Sequence, residues 1–295
     1  MTTKKKIFTT LAIACLIGFA ISGLWTLKYI HDTRKAKAEM EEIKEEYVQT
    51  APAEEEPKVE EPKEPEPEPE VVEEEGYPGL DGFDVPEREI DFAALQEEQN
   101  KDIYAWIILP GTKIDYPILQ HPDDLSYYLD YNIDGSKGYP GCIYTEHYNS
   151  KDWDDPNTVI YGHNMKDGTM FAHLHRFEDP VFFEEHPYVY IYSPDKTIRV
   201  YQIFAAYEFS DLHLLIAFDL ENEDSFQSYL DGIFEWEGMN NNFDTSVELD
   251  SSDRIITLAT CIGNKPDKRY LVQAVLVAEG VLDEKETENN QEADS

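Results

Sequence analysis

The chain has 295 residues and carries 62 acidic against 24 basic side chains, a formal charge of −38. That surplus argues against a nucleic-acid-binding protein, because phosphate contacts need a basic face. Three cysteines in this length exclude a disulfide-stapled scaffold.

In chain order, the first feature is IFTTLAIACLIGFAISGLWTL at 7–27, 21 residues without a charge. A helix needs about 20 apolar residues to cross a hydrocarbon core of ~30 Å. Lys4, Lys5 and Lys6 precede the run. It is longer than the ~7–15-residue apolar region of a secretory signal, and Ala36-Lys37-Ala38 lies too far beyond it to serve as a cleavage site. The expectation is a cytoplasmic N-terminus over 1–6 and an uncleaved transmembrane signal anchor over 7–27. Lys28, Arg34, Lys35 and Lys37 follow the run, so positive charge is nearly balanced across it; the orientation with the C-terminal bulk outside is favoured by the segment that follows and by the resemblance described below.

Residues 28–86 read as a charged, Pro/Glu-rich extracytoplasmic stalk. EMEEIKEEY (39–47) suits a short charged helix. Between Ala53 and Glu75 there are 12 Glu and two Lys, with Pro57, Pro62, Pro65, Pro67 and Pro69 among them. Proline blocks helix and favours extended polyproline II, and like charges stretch the chain further. At about 3.1 Å per residue such a segment reaches ~70 Å. Residues 87–279 hold the aromatics, apolar runs and turn signals of one domain of ordinary size. Residues 280–295 read as an acidic disordered tail.

Within the domain, DFAALQEEQNKDIYAWI (91–107) has helical spacing, with Phe92, Leu95, Ile103 and Trp106 near one face. Strand-like runs follow at 114–119, 142–145, 157–162, 188–193, 197–209, 254–260 and 270–279, rich in Val, Ile and Tyr. One long helical insertion falls around 222–237, where Phe226, Tyr229, Leu230 and Ile233 follow i, i+3, i+4, i+7. Many short strands with few helices between them predict a mostly β (α+β) fold: a closed or nearly closed barrel with appended helices.

Three residues stand out chemically. Cys261 ends the run RIITLAT, where a scaffold can hold an exposed side chain rigidly, and Lys265, Lys268 and Arg269 follow within eight residues. Positive charge favours a thiolate, although most free cysteines are buried and inert. His163 follows NTVIYG, also at a strand end, and can lean over a neighbouring strand. Arg269 precedes the last strand; an antiparallel return brings it back to the level of Cys261, where its fork of donors could meet an oxyanion. Cys15 sits in the apolar span and Cys142 at a strand start, both read as small apolar residues. Composition leaves a Cys142–Cys261 disulfide open, which would abolish thiol chemistry. His147, His173, His175 and His186 lie in less constrained contexts, and AHLHRF supplies no third or fourth ligand at metal-site spacing.

Together these residues resemble a known family. Thr257-Leu258-Ala259-Thr260-Cys261 matches the Thr-Leu-x-Thr-Cys signature of sortases, the membrane-anchored cysteine transpeptidases of Gram-positive bacteria, and Arg269 follows at a family-like distance. Tyr161-Gly162-His163-Asn164-Met165 resembles the segment bearing the sortase histidine. Trp106-Ile107, Pro110-Gly111-Thr112 and Tyr116-Pro117-Ile118, with the insertion at 222–237, are similar to class B sortases.

The resemblance implies a closed barrel of about eight strands, with N-terminal helices and one long helix inserted before the Cys-bearing strand. It implies Cys261 as nucleophile, His163 as general acid/base and Arg269 as oxyanion stabiliser, with no metal or organic cofactor. The implied partners are secreted proteins bearing a C-terminal sorting signal and an amine of a lipid-linked peptidoglycan precursor, at a cell membrane held through 7–27 with the catalytic domain outside. Class B relatives favour Asn-Pro-x-Thr signals and other sortases Leu-Pro-x-Thr-Gly; these residues do not choose between them. A pilin-polymerising sortase, a thiol hydrolase on the same site and a non-catalytic stalked adhesin are the alternatives.

Overall fold

The run Ile103–Ile108, which the helical spacing assigned to a helix, is a strand. All six residues are buried, and neighbouring strands flank the run on both sides. A strand covered on both faces shows no alternation, so its apolar residues matched a helical period by coincidence. The helical part ends earlier: Phe92–Ala94 is helical, capped by the Asp91 side chain, and Leu95–Gln99 continues it.

The computed structural model describes residues 3–50, 79–238 and 240–281. The Pro/Glu-rich stretch at 53–75 and the tail from 282 lie outside the described residues. In order, the strands are β1 (Val48–Thr50), β2 (Arg88–Ile90), β3 (Ile103–Ile108), β4 (Asp115–Leu119), β5 (Ile143–Thr145), β6 (Asn157–Tyr161), β7 (Tyr188–Tyr192), β8 (Thr197–Ser210), β9 (Asn242–Phe243), β10 (Ile255–Ile262) and β11 (Lys265–Val281).

Eight of them form a mixed barrel in the order β11-β10-β6-β5-β4-β3-β7-β8, which a long β8–β11 pairing closes. Closure removes the edges of the barrel, and β9 adds a short strand to β8. The β4–β5 and β10–β6 pairs are parallel and the others antiparallel. Ile143, Ile160, Ile256, Leu258, Val272 and Ala274 face inward. Val159, Ala259, Leu271 and Val275 face outward beneath the helix Glu223–Ile233, whose Phe226, Tyr229, Leu230 and Ile233 are buried on them. Asn222 caps that helix by accepting the Ser225 N–H.

The N-terminal helix runs from Thr3 to Tyr47 and includes the one stretch among the described residues long and apolar enough to cross a membrane. Leu16, Phe19, Leu24 and Trp25 on it are exposed. Beyond the apolar run, the start of the segment whose composition reads as stalk is structured: the helix continues and packs on the barrel. Ile43 and Tyr47 are buried, Lys35 pairs with Asp134 at 2.8 Å, and β1 pairs with β2. Tyr47 and Ile43 fill a hydrophobic patch on the outside of the barrel beside Trp106 and Ile108.

Candidate active site

The parallel β6–β10 ladder sets the site. Ala259 lies opposite Tyr161, and Gly162 donates to the Ala259 carbonyl at 3.2 Å. Two residues further along each chain stand His163 and Cys261. On the other side of β10, the antiparallel ladder pairs Cys261 directly with Arg269. Cys261 shares the outward face of Ala259, because side chains repeat every two residues. The insertion helix covers that face lower down, and Cys261 beyond it is exposed.

Both threonines of the signature act as clamps. Thr260 donates to the Gly162 carbonyl at 2.7 Å and fastens β10 to the chain just before His163. Thr257 donates to Asn157 Oδ1 and accepts from Gln273, which is also bonded to Tyr229 and Tyr207. This buried network ties β6, β8, β10, β11 and the insertion helix together, with only Asn157 Nδ2 in it left without a partner. Gly162 has no room for a side chain: a Cβ there would sit 2.5 Å from Ile143 Cδ1 and 2.7 Å from Phe171.

His163 is half-buried, with Nε2 2.8 Å from the Leu129 carbonyl and the Tyr139 ring edge-on at 5.3 Å. Arg269 Nη1 donates to the carbonyls of Pro266 and Lys268, which folds the guanidinium back over its own strand. Of the other cations noted after Cys261, Lys265 is paired with Glu208. β10 and β11 meet in a tight turn at Gly263–Asn264, with Asn264 at φ +67°, so most of the expected loop is strand. Tyr144 and Tyr161 stack at 5.4 Å on the floor below. Burial raises the Tyr144 phenol well above its usual range; the charges of Glu146 and Cys261 push it the same way, and Arg269 opposes them.

Cys142 and Cys261 are both free, so no disulfide removes the thiol. Burial pushes the Cys142 thiol far up, which makes it a poor nucleophile. It lines a cavity of about 400 Å³ between the N-terminal helix and the barrel, which none of Cys261, His163 or Arg269 touches. His173 and His175 point to different partners: His173 Nδ1 accepts the Lys113 N–H at 3.1 Å, and His175 Nδ1 lies 2.7 Å from Glu178 Oε1. Sequence reasoning passed over His175, which also reaches the Cys261 backbone. Its only signal was the i, i+3 spacing to Glu178.

A closed mixed barrel with an exposed thiol at a strand end, and with a histidine and an arginine on the two chains beside it, has the parts a cysteine acyl-transfer enzyme needs. A family model for the sortase domain matches residues 107–277. Sortase B of Listeria monocytogenes is 36% identical over 183 residues, 61% of this chain and 72% of that protein. A crystal structure of sortase B from B. anthracis in complex with AAEK1 superposes with a TM-score of 0.59 at 26% identity, covering 85% of this chain and 99% of that one. A Staphylococcus aureus sortase B–substrate complex gives 0.55 at 30% identity, covering 62% and 83%. The chain belongs to the sortase family of cysteine transpeptidases, and its relatives are class B enzymes.

Proposed function

We propose that this sortase cleaves a C-terminal sorting signal of secreted proteins after threonine and transfers the acyl group to an amine of a peptidoglycan precursor. The observation that carries the reading is the register that sets Cys261 between Arg269 on β11 and the chain leading to His163. The Cys261 thiolate attacks the threonine carbonyl, and its sulfur–carbon bond forms as the carbonyl π pair moves to oxygen. The Arg269 guanidinium, swung out from its own carbonyls, stabilises that oxyanion. His163 protonates the leaving amine as the peptide bond breaks, leaving a thioester on Cys261. An incoming amine then loses a proton to His163 and displaces the thiol, so the chemistry needs no external energy source.

The apolar stretch at 7–27 anchors the enzyme in the cell membrane, with the barrel on the outer side. Both substrates lie at that surface, and tethering raises their effective concentration. A structure of S. aureus sortase B in complex with its substrate supports substrate binding by this fold.

The test incubates the full chain with Asn-Pro-x-Thr and Leu-Pro-x-Thr-Gly peptides and an excess of amine, read by mass spectrometry. A ligated product from one of them is expected. Cleaved peptide alone would make the enzyme a thiol hydrolase. Normal wall attachment of client proteins by Cys261→Ala cells would leave only an adhesin-like role.

A further inference from the structure

The parallel ladder that sets the site stops one step short of the nucleophile. Gly162 N–H bonds the Ala259 carbonyl, and the same pattern continued would give the Asn164 N–H to the Cys261 carbonyl. β6 has ended by then, and side chains take over. Asn164 Nδ2 donates to the Cys261 carbonyl at 2.9 Å, and His175 Nε2 lies 3.1 Å from the same oxygen. An amide nitrogen cannot accept, so Asn164 Nδ2 also donates to His175 Nε2, at 3.0 Å, and the imidazole holds the amide rather than the carbonyl. His175 Nδ1 is fixed at 2.7 Å from Glu178 Oε1, and its ring stacks on Tyr270 at 5.0 Å. Asn240 Nδ2 donates to Glu178 Oε2 at 2.9 Å. His175 and Glu178 lie on the 3-10 helix Phe171–Glu178, which plugs the barrel with Phe171, Leu174 and Phe177.

We propose that Asn164, held in place by His175 and Glu178, grips the backbone carbonyl of Cys261 and thereby aims its thiol, the three forming a positioning network. The proposal rests on the reading of Cys261 as the nucleophile. The grip falls where control is needed: the ladder shifts register between Cys261 and Ile262, so β11 alone does not fix the peptide plane after the cysteine. An imidazole held by a carboxylate and a stacked ring is a stiff partner, because neither its tilt nor its rotation is free. Asn240 extends the network into the segment that follows the insertion helix. That links the nucleophile's backbone to the segment between β8 and β10.

The test uses the detergent-solubilised full chain and three variants, His175→Ala, His175→Gln and Glu178→Gln. Iodoacetamide labelling is followed on the peptide bearing Cys261 by mass spectrometry, alongside kcat and KM for the signal peptide and thermal melting. His175→Ala is expected to slow labelling and kcat about tenfold with KM within about twofold, since a small misplacement of a reacting group costs rate rather than binding. His175→Gln keeps an amide oxygen to accept from Asn164 and is expected to recover to within about threefold of wild type. Glu178→Gln should fall between them. Wild-type labelling and kcat in His175→Ala would overturn the proposal. So would a His175→Gln variant as slow as the alanine variant when both melt like wild type. Labelling differences of the expected order without any peptide exchange by wild type would uphold the network and refute the transpeptidase reading instead.

Discussion

Cys261 and Arg269 face each other as a direct antiparallel pair across β10 and β11, joined by a turn of only two residues, Gly263 and Asn264. The register shifts between this pair and the turn, so the continuous ladder from Ile255↔Val275 to Cys261↔Arg269 is what fixes their relative height. The proposed oxyanion role requires the guanidinium to release the Pro266 and Lys268 carbonyls it holds in this structure. Arg269→Lys keeps the charge and loses the planar fork. We expect kcat to fall about 100-fold, with a stability change below about 0.5 kcal/mol. Steady-state kinetics with a parallel melting curve check this; unchanged turnover would remove Arg269 from the oxyanion site.

Cys142 contrasts with Cys261. It is buried, its Sγ lies 3.5 Å from the Tyr131 carbonyl, and its ionisation is suppressed. Cys142→Ser should leave turnover nearly intact and cost about 1 kcal/mol of stability for a hydroxyl in an apolar site. Complete loss of turnover in a folded variant would mean that the two thiols have been assigned the wrong roles.

The Tyr139 ring edge holds one side of His163. Tyr139→Ala should lower kcat about tenfold by freeing the imidazole. Tyr139→Phe should keep the wild-type rate, because the contact is made by the ring. Equal losses in the two variants would transfer the role to the hydroxyl.

Glu146 is buried and pairs with His213 Nε2 at 2.6 Å. Burial raises its carboxyl above the usual range, and His213 partly offsets that shift. The folded chain therefore keeps this proton to higher pH than the unfolded chain. Stability falls as pH rises through that range and recovers as pH falls below it. Glu146→Gln removes the penalty, so its Tm should exceed wild type at pH 7–8 and lose that advantage near pH 4. A Tm difference independent of pH would sink this account.

The N-terminal helix stabilises the barrel as well as carrying the apolar stretch. Ile43 is 1% exposed in the patch beside Trp106. Ile43→Ala should cost about 3 kcal/mol while leaving Cys261 labelling in the folded state unchanged. Urea denaturation measures the first and mass spectrometry the second.

Much of this molecule is written locally. The apolar stretch at 7–27, the β-rich runs and the insertion helix each carry their own period or composition, so they are legible one segment at a time. The pairing of Cys261 with Arg269 was legible too, because a hairpin is a local structure. Ile103–Ile108 was not, since a strand buried on both faces loses the alternation that marks strands. The docking of residues 28–50 was hidden because a charged helix beside an acidic run reads as solvated until a surface is present to bury Ile43 and Tyr47.

The same division holds at the site. Residue order and type nominate Cys261, His163 and Arg269 as the candidate site. Only the non-local parallel pairing of β6 with β10 brings these chains together, and only the folded barrel sets the Phe171–Glu178 helix behind Cys261. His175 and Glu178 lie more than eighty residues from Cys261 in the chain, and no sequence period spans that gap. Which groups meet across it depends on the non-local pairing of strands, a property of the whole fold rather than of any segment.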